Sequence, residues 1–315
     1  MKYAPIFVSV FDRPYHFKAC IESLAKNEGA ENTLLFVSSD GPKDEASSHN
    51  VKLVRDYINN LKFFKKVISF CPAENTAGHI KSQVYERIKS DFSRYIRSED
   101  DNVFSPYALN YFNEGLEIFE TAPDVHAICG YMFPNFPFKH YNQTYLRCFN
   151  GWGAAFWRDK DMFPNFDQRG LSAQVLSNKN LFKTVNKLLP HVVPMTHLIK
   201  SGKLNAVDVT RCNYIIKNDQ VCVFPSISLV RNIGHDGTGS HCGTDAAYEK
   251  QRIAEKAIQF DTLKPRKPKR NDERWVTNFF GGKKLALRNK FLFSHPFSEN
   301  YYFCILVKFI RLLRG

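Results

Sequence analysis

Strand and helix signals alternate through the first 131 residues, and no other feature limits the possible folds so tightly. Pro5 to Phe11 is a β-rich run, and Pro14 to Lys26 is helical, with Phe17, Cys20, Ile21 and Leu24 at spacings of three and four. Thr33 to Ser38 and Lys66 to Phe70 read as strands two and three. Between them, residues 44–61 carry Val51, Val54, Ile58 and Leu61 on one helical face. A helix from Gly78 to Ile88, a strand from Arg94 to Ser98, a helix from Pro106 to Phe119 and a strand from His126 to Tyr131 complete the series. Such alternation predicts an α/β fold, a mostly parallel sheet flanked by helices. Ligands of such sheets bind at the carboxyl ends of the strands. Asp12-Arg13, Asp40-Gly41, Asn75–Gly78 and Glu99-Asp100-Asp101 all fall there.

Glu99-Asp100-Asp101 puts three mutually repelling acids at a strand end. A hard divalent cation with oxygen ligands, Mn²⁺ or Mg²⁺, would relieve that repulsion and share its shell with substrate phosphates. The competing reading is a solvated turn leading through residues 102–106 into the next helix. Asp40, in Ser38-Ser39-Asp40-Gly41-Pro42, is either a turn residue or an acceptor for a nucleobase N–H or ribose hydroxyl. Arg13 stands near a helix start, where the macrodipole disfavours a cation, so it reads as a ligand for phosphate or base. In Gly151-Trp152-Gly153-Ala154-Ala155-Phe156-Trp157, small residues between indoles suit either a packed core segment or a sugar stacked on Trp152 beside Gly153. Asp208 precedes a helical stretch from Arg211 to Lys217 and reads as an N-cap or as a general base. Ser228 to Cys242 is a glycine-rich loop with His235 and His241, suited to closing over a ligand, and one of the two histidines could reach a metal.

Charge is unevenly placed. The 315 residues carry a formal +13, yet Thr262 to Gly315 alone holds 13 Lys and Arg against three acids, or +10. The remainder is a near-neutral body, which argues against nucleic acid as the partner. Residues 1–260 read as the globular domain, with 1–131 one half and 132–260 a less regular half in which 172–203 is helical. Residues 261–315 read as a basic tail entered through a linker at 262–274. Tyr301 to Arg314 is amphipathic, with Lys308, Arg311 and Arg314 along one side, and Lys283 to Phe293 is a second basic-apolar stretch. Neither reaches the roughly 20 residues of a membrane span, so the expectation is peripheral attachment to an anionic membrane surface. Eight scattered cysteines without a Cys-x-x-Cys pair, and no signal-peptide pattern, predict a reduced cytoplasmic protein without structural zinc.

The motifs in order resemble those of a GT-A-fold glycosyltransferase. They are Asp-Arg-Pro at 12–14, Ser-Asp-Gly at 39–41, Asn75-x-x-Gly78, Glu99-Asp100-Asp101, Gly151-Trp152-Gly153, Asp208 before a helix, the Pro-containing strand Val223-Phe224-Pro225, then Asn-x-Gly at 232–234 and the glycine-rich loop with its histidines. The likeness is nearest to bacterial family 2-like sugar transferases and extends distantly to the inverting N-acetylglucosaminyltransferase I that begins complex N-glycans. It covers roughly residues 4–245. This resemblance implies that Asp101 binds the metal directly, that Glu99 and Asp100 orient metal and donor sugar, and that Arg13 and Asp40 hold the uridine end of the donor, with Asn75 counted among the donor-binding residues. Trp152 and Gly153 would face the sugar, His241 would touch diphosphate or metal, and Asp208 would be the base. Tryptophans usual beside that base are replaced by Val207 and Arg211. The implied activity is inverting, metal-dependent transfer from a nucleotide-sugar, with UDP expected, to a glycan or lipid-linked glycan in bacterial lipopolysaccharide or capsule synthesis. The expected location is the cytoplasmic face of the inner membrane. Two alternatives are a sugar-nucleotide nucleotidylyltransferase, which lacks its Gly-rich phosphate loop at Phe11–Tyr15, and a basic nucleic-acid-binding protein.

Overall fold

The computed structural model describes residues 3–137, 142–164, 166–238, 248, 250–262 and 266–293. Ten strands and ten α-helices follow among them. They are β1 (Ile6–Val10), α1 (Pro14–Ala25), β2 (Leu34–Ser39), α2 (Glu45–Asn59), β3 (Lys66–Phe70), α3 (Ile80–Asp91), β4 (Arg94–Glu99), β5 (Asn102–Phe104), α4 (Ala108–Ile118) and β6 (Val125–Cys129). Next come β7 (Gln143–Leu146), β8 (Ala154–Trp157), α5 (Gln168–Ser177), α6 (Lys179–Leu188), α7 (Val192–Lys200), α8 (Val207–Lys217), β9 (Val221–Pro225), β10 (Val230–Asn232), α9 (Arg270–Phe279) and α10 (Gly282–Phe293).

Eight strands form one sheet in the order β3-β2-β1-β4-β8-β6-β9-β7. Strands β3, β2, β1 and β4 run parallel, with Ile6 opposite Leu35 on one side and Ile96 on the other. Parallel strands flanked by helices are buried on both faces. Accordingly β1 keeps Ile6, Phe7, Val8 and Val10 buried and β2 keeps Leu35, Phe36 and Val37 buried. Beyond β4 the sheet is mixed: β8 is antiparallel to both β4 and β6, β9 is parallel to β6, and β7 is an antiparallel edge. The chain leaves β1 toward β2 and β3 and then returns to lay β4 on β1's other side. That reversal opens a crevice at the carboxyl ends of β1 and β4.

Residues 102–104, expected in a turn, instead form β5 and pair antiparallel with β10, Asn102 facing Asn232. The reason is non-local: the partner strand lies over a hundred residues later. Asp208 sits inside the first turn of α8, and Ala206 is the cap residue, so the N-cap reading of Asp208 is replaced. The expected linker at 262–274 contains the start of α9.

Two compact units are present, residues 1–166 with 219–269, and 167–218 with 270–315. The sequence-based division at 260 follows composition. Compactness groups residues by packing, and α6 packs with α9 and α10. The first unit holds the sheet. In the second, α5 to α10 bury Leu171, Val175, Phe182, Val185, Val193, Ile199 and Ile215. Side-chain amides lock two of its helices: Asn289 Nδ2 donates to Asn186 Oδ1 (3.0 Å) and to the carbonyl of Pro190 (2.6 Å), and Asn186 Nδ2 donates to the carbonyl of Ala286 (2.8 Å). All six described cysteines are free thiols, and only Cys71 is exposed.

Candidate active site

A cavity of about 500 Å³ occupies the crevice where β1, β2 and β4 end. Its wall includes Arg13, Asp40, Asn75, Glu99, Asp100 and Asp101, six residues singled out in the sequence, drawn from four separate strand ends. Those ends converge because parallel strands in register finish at one level.

Arg13 is the centre of the acidic side. Its Nε donates to Asp100 Oδ2 (3.1 Å) and its Nη2 donates both to Asp100 Oδ1 and to Asp101 Oδ2 (2.9 Å to the latter). A planar guanidinium can fork onto two carboxylates in this way, and an ammonium cannot. Desolvation works against the Arg13 charge, but hydrogen bonding and attraction to Asp100, followed by Asp101, outweigh it and raise its pKa. Burial pushes the Asp100 carboxyl up, opposed by Arg13. Asp101 is further fixed from the other side by Asn232 Nδ2, which donates to its Oδ1 (2.8 Å). The Ile233 amide donates to the Asp101 carbonyl (2.8 Å), and Gly234 then passes so close that a Cβ there would lie 2.1 Å from Asp101 Oδ2. Glu99 accepts a hydrogen bond from Arg97 (2.9 Å) and keeps its carboxylate partly exposed.

Asp40 organises the opposite wall. Oδ1 accepts from the Gly41 amide (2.9 Å), the Thr76 amide (2.8 Å) and the Thr76 hydroxyl (2.9 Å), and Oδ2 accepts from the Gly78 amide (2.8 Å). Burial alone would raise its pKa; these donors, led by the Thr76 and Gly78 amides, hold it below the usual carboxylate range. Asn75 Nδ2 bonds the Gly41 carbonyl (2.6 Å), tying the two loops together. A Cβ on Gly41 would meet the Glu74 backbone at 2.3 Å, so only glycine permits this approach. Beneath, Arg55 donates to the carbonyls of Ser39 (3.0 Å), Asp40 (3.2 Å) and Pro72 (2.7 Å). Thus Asp40 is first a loop-building residue, with its Oδ2 carrying one hydrogen bond.

Sequence reading missed Ser38, Lys43, Lys81 and Asn232. Lys43 and Lys81 have exposed side chains bordering the cavity. Lys43 lies 5.0 Å over the Phe11 ring. Partial desolvation, then Arg97, lowers the Lys81 pKa despite the nearby acids. Two buried polar atoms in this wall lack any hydrogen-bond partner, Arg13 Nη1 and Ser38 Oγ. The spacing of Lys81 three residues past Gly78 was a usable signal, and Asn232 stood in the Asn-x-Gly motif at 232–234 without a role assigned to it; Ser38 gave none.

Trp152 and Gly153 are not part of this wall. Gly153 has a positive φ of 68°, and a Cβ there would strike Phe104 at 2.8 Å. Trp152 joins an aromatic group with Tyr131 (4.7 Å between centroids), His235 (5.3 Å) and Tyr248 (5.3 Å). His235 stacks on Tyr248 at 4.3 Å, and its Nε2 is buried without a hydrogen-bond partner. The loop after β10 is anchored by Asp236, which pairs with His16 (3.0 Å). Hydrogen bonds from the Thr238 hydroxyl, then the Thr238 amide, lower the Asp236 pKa to about 2. His241 lies outside the described residues, as does the stretch 301–314. Asp208 belongs to the second unit.

No three His, Cys, Asp or Glu side chains converge as a metal cage among the described residues. The donor set fits a hard ion of the kind that uses one or two carboxylates and completes its shell with substrate phosphate. Asp101 and Glu99 both line the cavity.

No protein-family model and no curated protein matches this chain. Solved structures give partial likenesses. Mannosyltransferase PcManGT from Pyrobaculum calidifontis, solved with GDP-Man and Mn²⁺, aligns at 10% identity over 69% of this chain and 68% of its own, TM-score 0.39. Residues 1–349 of S. aureus TarS align at 13% identity over 65% and 71%, TM-score 0.36, and the alignment takes in 22% of the longer TarS chain. Mouse xyloside xylosyltransferase 1, apo form, aligns at 12% identity over 69% and 82%, TM-score 0.34.

Proposed function

We propose that this chain is a GT-A-like glycosyltransferase that binds a nucleoside diphosphate sugar in the cavity at the ends of β1, β2 and β4. One observation carries the reading. Arg13, Ser38, Lys43, Lys81 and the acidic cluster Glu99-Asp100-Asp101 line one cavity at the strand ends. Donors, cations and carboxylates in one crevice match a ligand with base, ribose and diphosphate parts. Arg13, Asp40 and Asn75 would hold the nucleoside end, and Lys43 and Lys81 the diphosphate. Asp100 positions Arg13 and, with Glu99, the donor sugar.

Asp101 is the proposed ligand of Mn²⁺ or Mg²⁺, with Glu99 beside it and either His235 or His241 as a further contact. When bound, such an ion supplies charge stabilisation for the leaving diphosphate. Asp208 is the proposed base, removing the acceptor hydroxyl proton as that oxygen attacks the anomeric carbon in line, so that configuration inverts. Trp152 and Gly153 are assigned to the acceptor half, residues 132–260, and residues 1–131 to the donor half. UDP as nucleotide, a bacterial surface glycan as acceptor, the family 2-like and N-acetylglucosaminyltransferase I-like assignments and the cytoplasmic location belong to the same proposal. Among the described residues no helix is long and apolar enough to cross a membrane. Attachment to an anionic inner-membrane surface through the tail, 261–315, completes it.

Calorimetry with UDP, several UDP-sugars and a GDP-sugar, each with and without Mn²⁺, tests the reading. Expected is metal-strengthened binding of one sugar nucleotide, lost in Asp101→Ala. In Asp208→Asn, donor binding persists and turnover disappears. No binding of any sugar nucleotide would refute the proposal, and equal loss of donor affinity in both variants would refute the division of roles.

A further inference from the structure

The second unit carries a groove of about 990 Å³ between α6 and α10. Its floor is apolar, with Leu176, Phe182, Leu287 and Phe293, and five lysines border it: Lys179, Lys183, Lys187, Lys283 and Lys290. Among the described residues no Asp or Glu lines it. Neither α6 (KNLFKTVNKL) nor α10 (GKKLALRNKFLF) contains one.

Lys179, Lys183 and Lys187 recur every four residues along one exposed stripe of α6, and like charges at that spacing destabilise a helix. Lys179 is also the first residue of α6, the positive end of its dipole. A merely solubilising face would mix signs and keep large apolar groups covered. Here Leu287 and Phe291 are 67% and 72% exposed one turn apart on α10, between Lys283, Lys284, Arg288 and Lys290. Exposed apolar side chains between cations, beside an acid-free groove, match a surface that is anionic at the headgroups and apolar just below.

We infer that the α6–α10 face docks on a bilayer containing anionic phospholipid, the lysines meeting headgroup phosphates and Leu287 and Phe291 entering the acyl boundary. This deepens the tail attachment proposed above, of which α10 is part, by adding the α6 face, and it stands whether or not the chain is a transferase.

The test is co-sedimentation of the full chain with phosphatidylcholine vesicles, with and without phosphatidylglycerol. Expected is binding only when phosphatidylglycerol is present. Lys179→Glu, Lys183→Glu and Lys187→Glu together should weaken it by about 100-fold, taking three lysines at the membrane surface. The same charge change at Lys62, Lys65 and Lys66, exposed in the other unit, should leave most of the binding intact. Leu287→Ser with Phe291→Ser should also lower binding, which a purely electrostatic contact would not show. Soluble short-chain phosphatidylglycerol should compete, and inorganic phosphate at the same concentration should not. Parental binding by the α6 triple variant, equal loss in the control triple variant, or equal competition by phosphate overturns the inference. Circular dichroism verifies that each variant is folded, and donor calorimetry on the α6 variant separates a failure here from a failure of the transferase reading.

Discussion

Arg13 and Asp40 illustrate how one cleft divides binding from construction. Arg13 satisfies Asp100 and Asp101 with one edge of its guanidinium and keeps Nη1 in reserve. Arg13→Ala would leave the buried Asp100 without its cation, a loss of about 3–5 kcal/mol, seen as a lower urea midpoint. Arg13→Lys keeps the charge but cannot span both carboxylates. It should recover part of the stability and still bind sugar nucleotide at least about tenfold more weakly by calorimetry, the loss of one charge-assisted hydrogen bond. Full recovery of both by lysine would dismiss the fork as important. Asp40 is the joist of the other wall. Asp40→Ala removes the acceptor for three amides and a hydroxyl and should cost about 1–3 kcal/mol. Because folding lowers the Asp40 pKa from its ordinary 3.8, its contribution is complete above that value and fades as pH falls through the native pKa. The difference in stability between parent and Asp40→Ala should therefore shrink in acid titrations below about pH 4. A difference that grew there would contradict the hydrogen-bond assignment.

At the scale of elements, the parallel half of the sheet was legible because local patterns sufficed. β3 was read at its observed bounds, and β1, β2, β4 and β6 within about two residues. Four strand ends then placed six cleft residues together without any knowledge of packing. What escaped the sequence was non-local. β5 is three residues long and exists through β10, and Asn232 becomes a partner of Asp101 only by that pairing. Gly153 read as room for a ligand, whereas its missing Cβ accommodates Phe104. A buried ion pair also went unread: Lys89 of α3 meets Asp161 (3.2 Å), whose side chain is fully buried and also accepts from Tyr95. Lys89→Ala should cost about 3–5 kcal/mol by stranding that carboxylate. A change under about 1 kcal/mol in thermal or urea unfolding would show that its other donors, Tyr95 and the Phe163 amide among them, satisfy it.

On the scale of the whole molecule, the two units are interleaved along the chain. The helical unit takes α5–α8 from the middle and α9 and α10 from the end. Its seam is polar and specific, Asn186 with Asn289 and the carbonyls of Ala286 and Pro190. Truncation after Lys269 should therefore do more than remove a basic tail. It should uncover Phe182 and speed amide exchange through residues 179–188, while exchange in β1, β2 and β4 stays slow. Unchanged protection in α6 would mean that the middle helices stand alone.

That interleaving has a consequence for synthesis. About fifty residues separate the end of α8 from the start of α9. The end of α6 precedes the start of α9 by about eighty residues, so at about 5–20 residues per second on the ribosome roughly four to sixteen seconds pass between the emergence of α6 and of the helices that cover it. In that interval the apolar side of α6 and its three lysines are both uncovered. A nascent chain of this design meets chaperones, or an anionic surface, before it meets its own C-terminus.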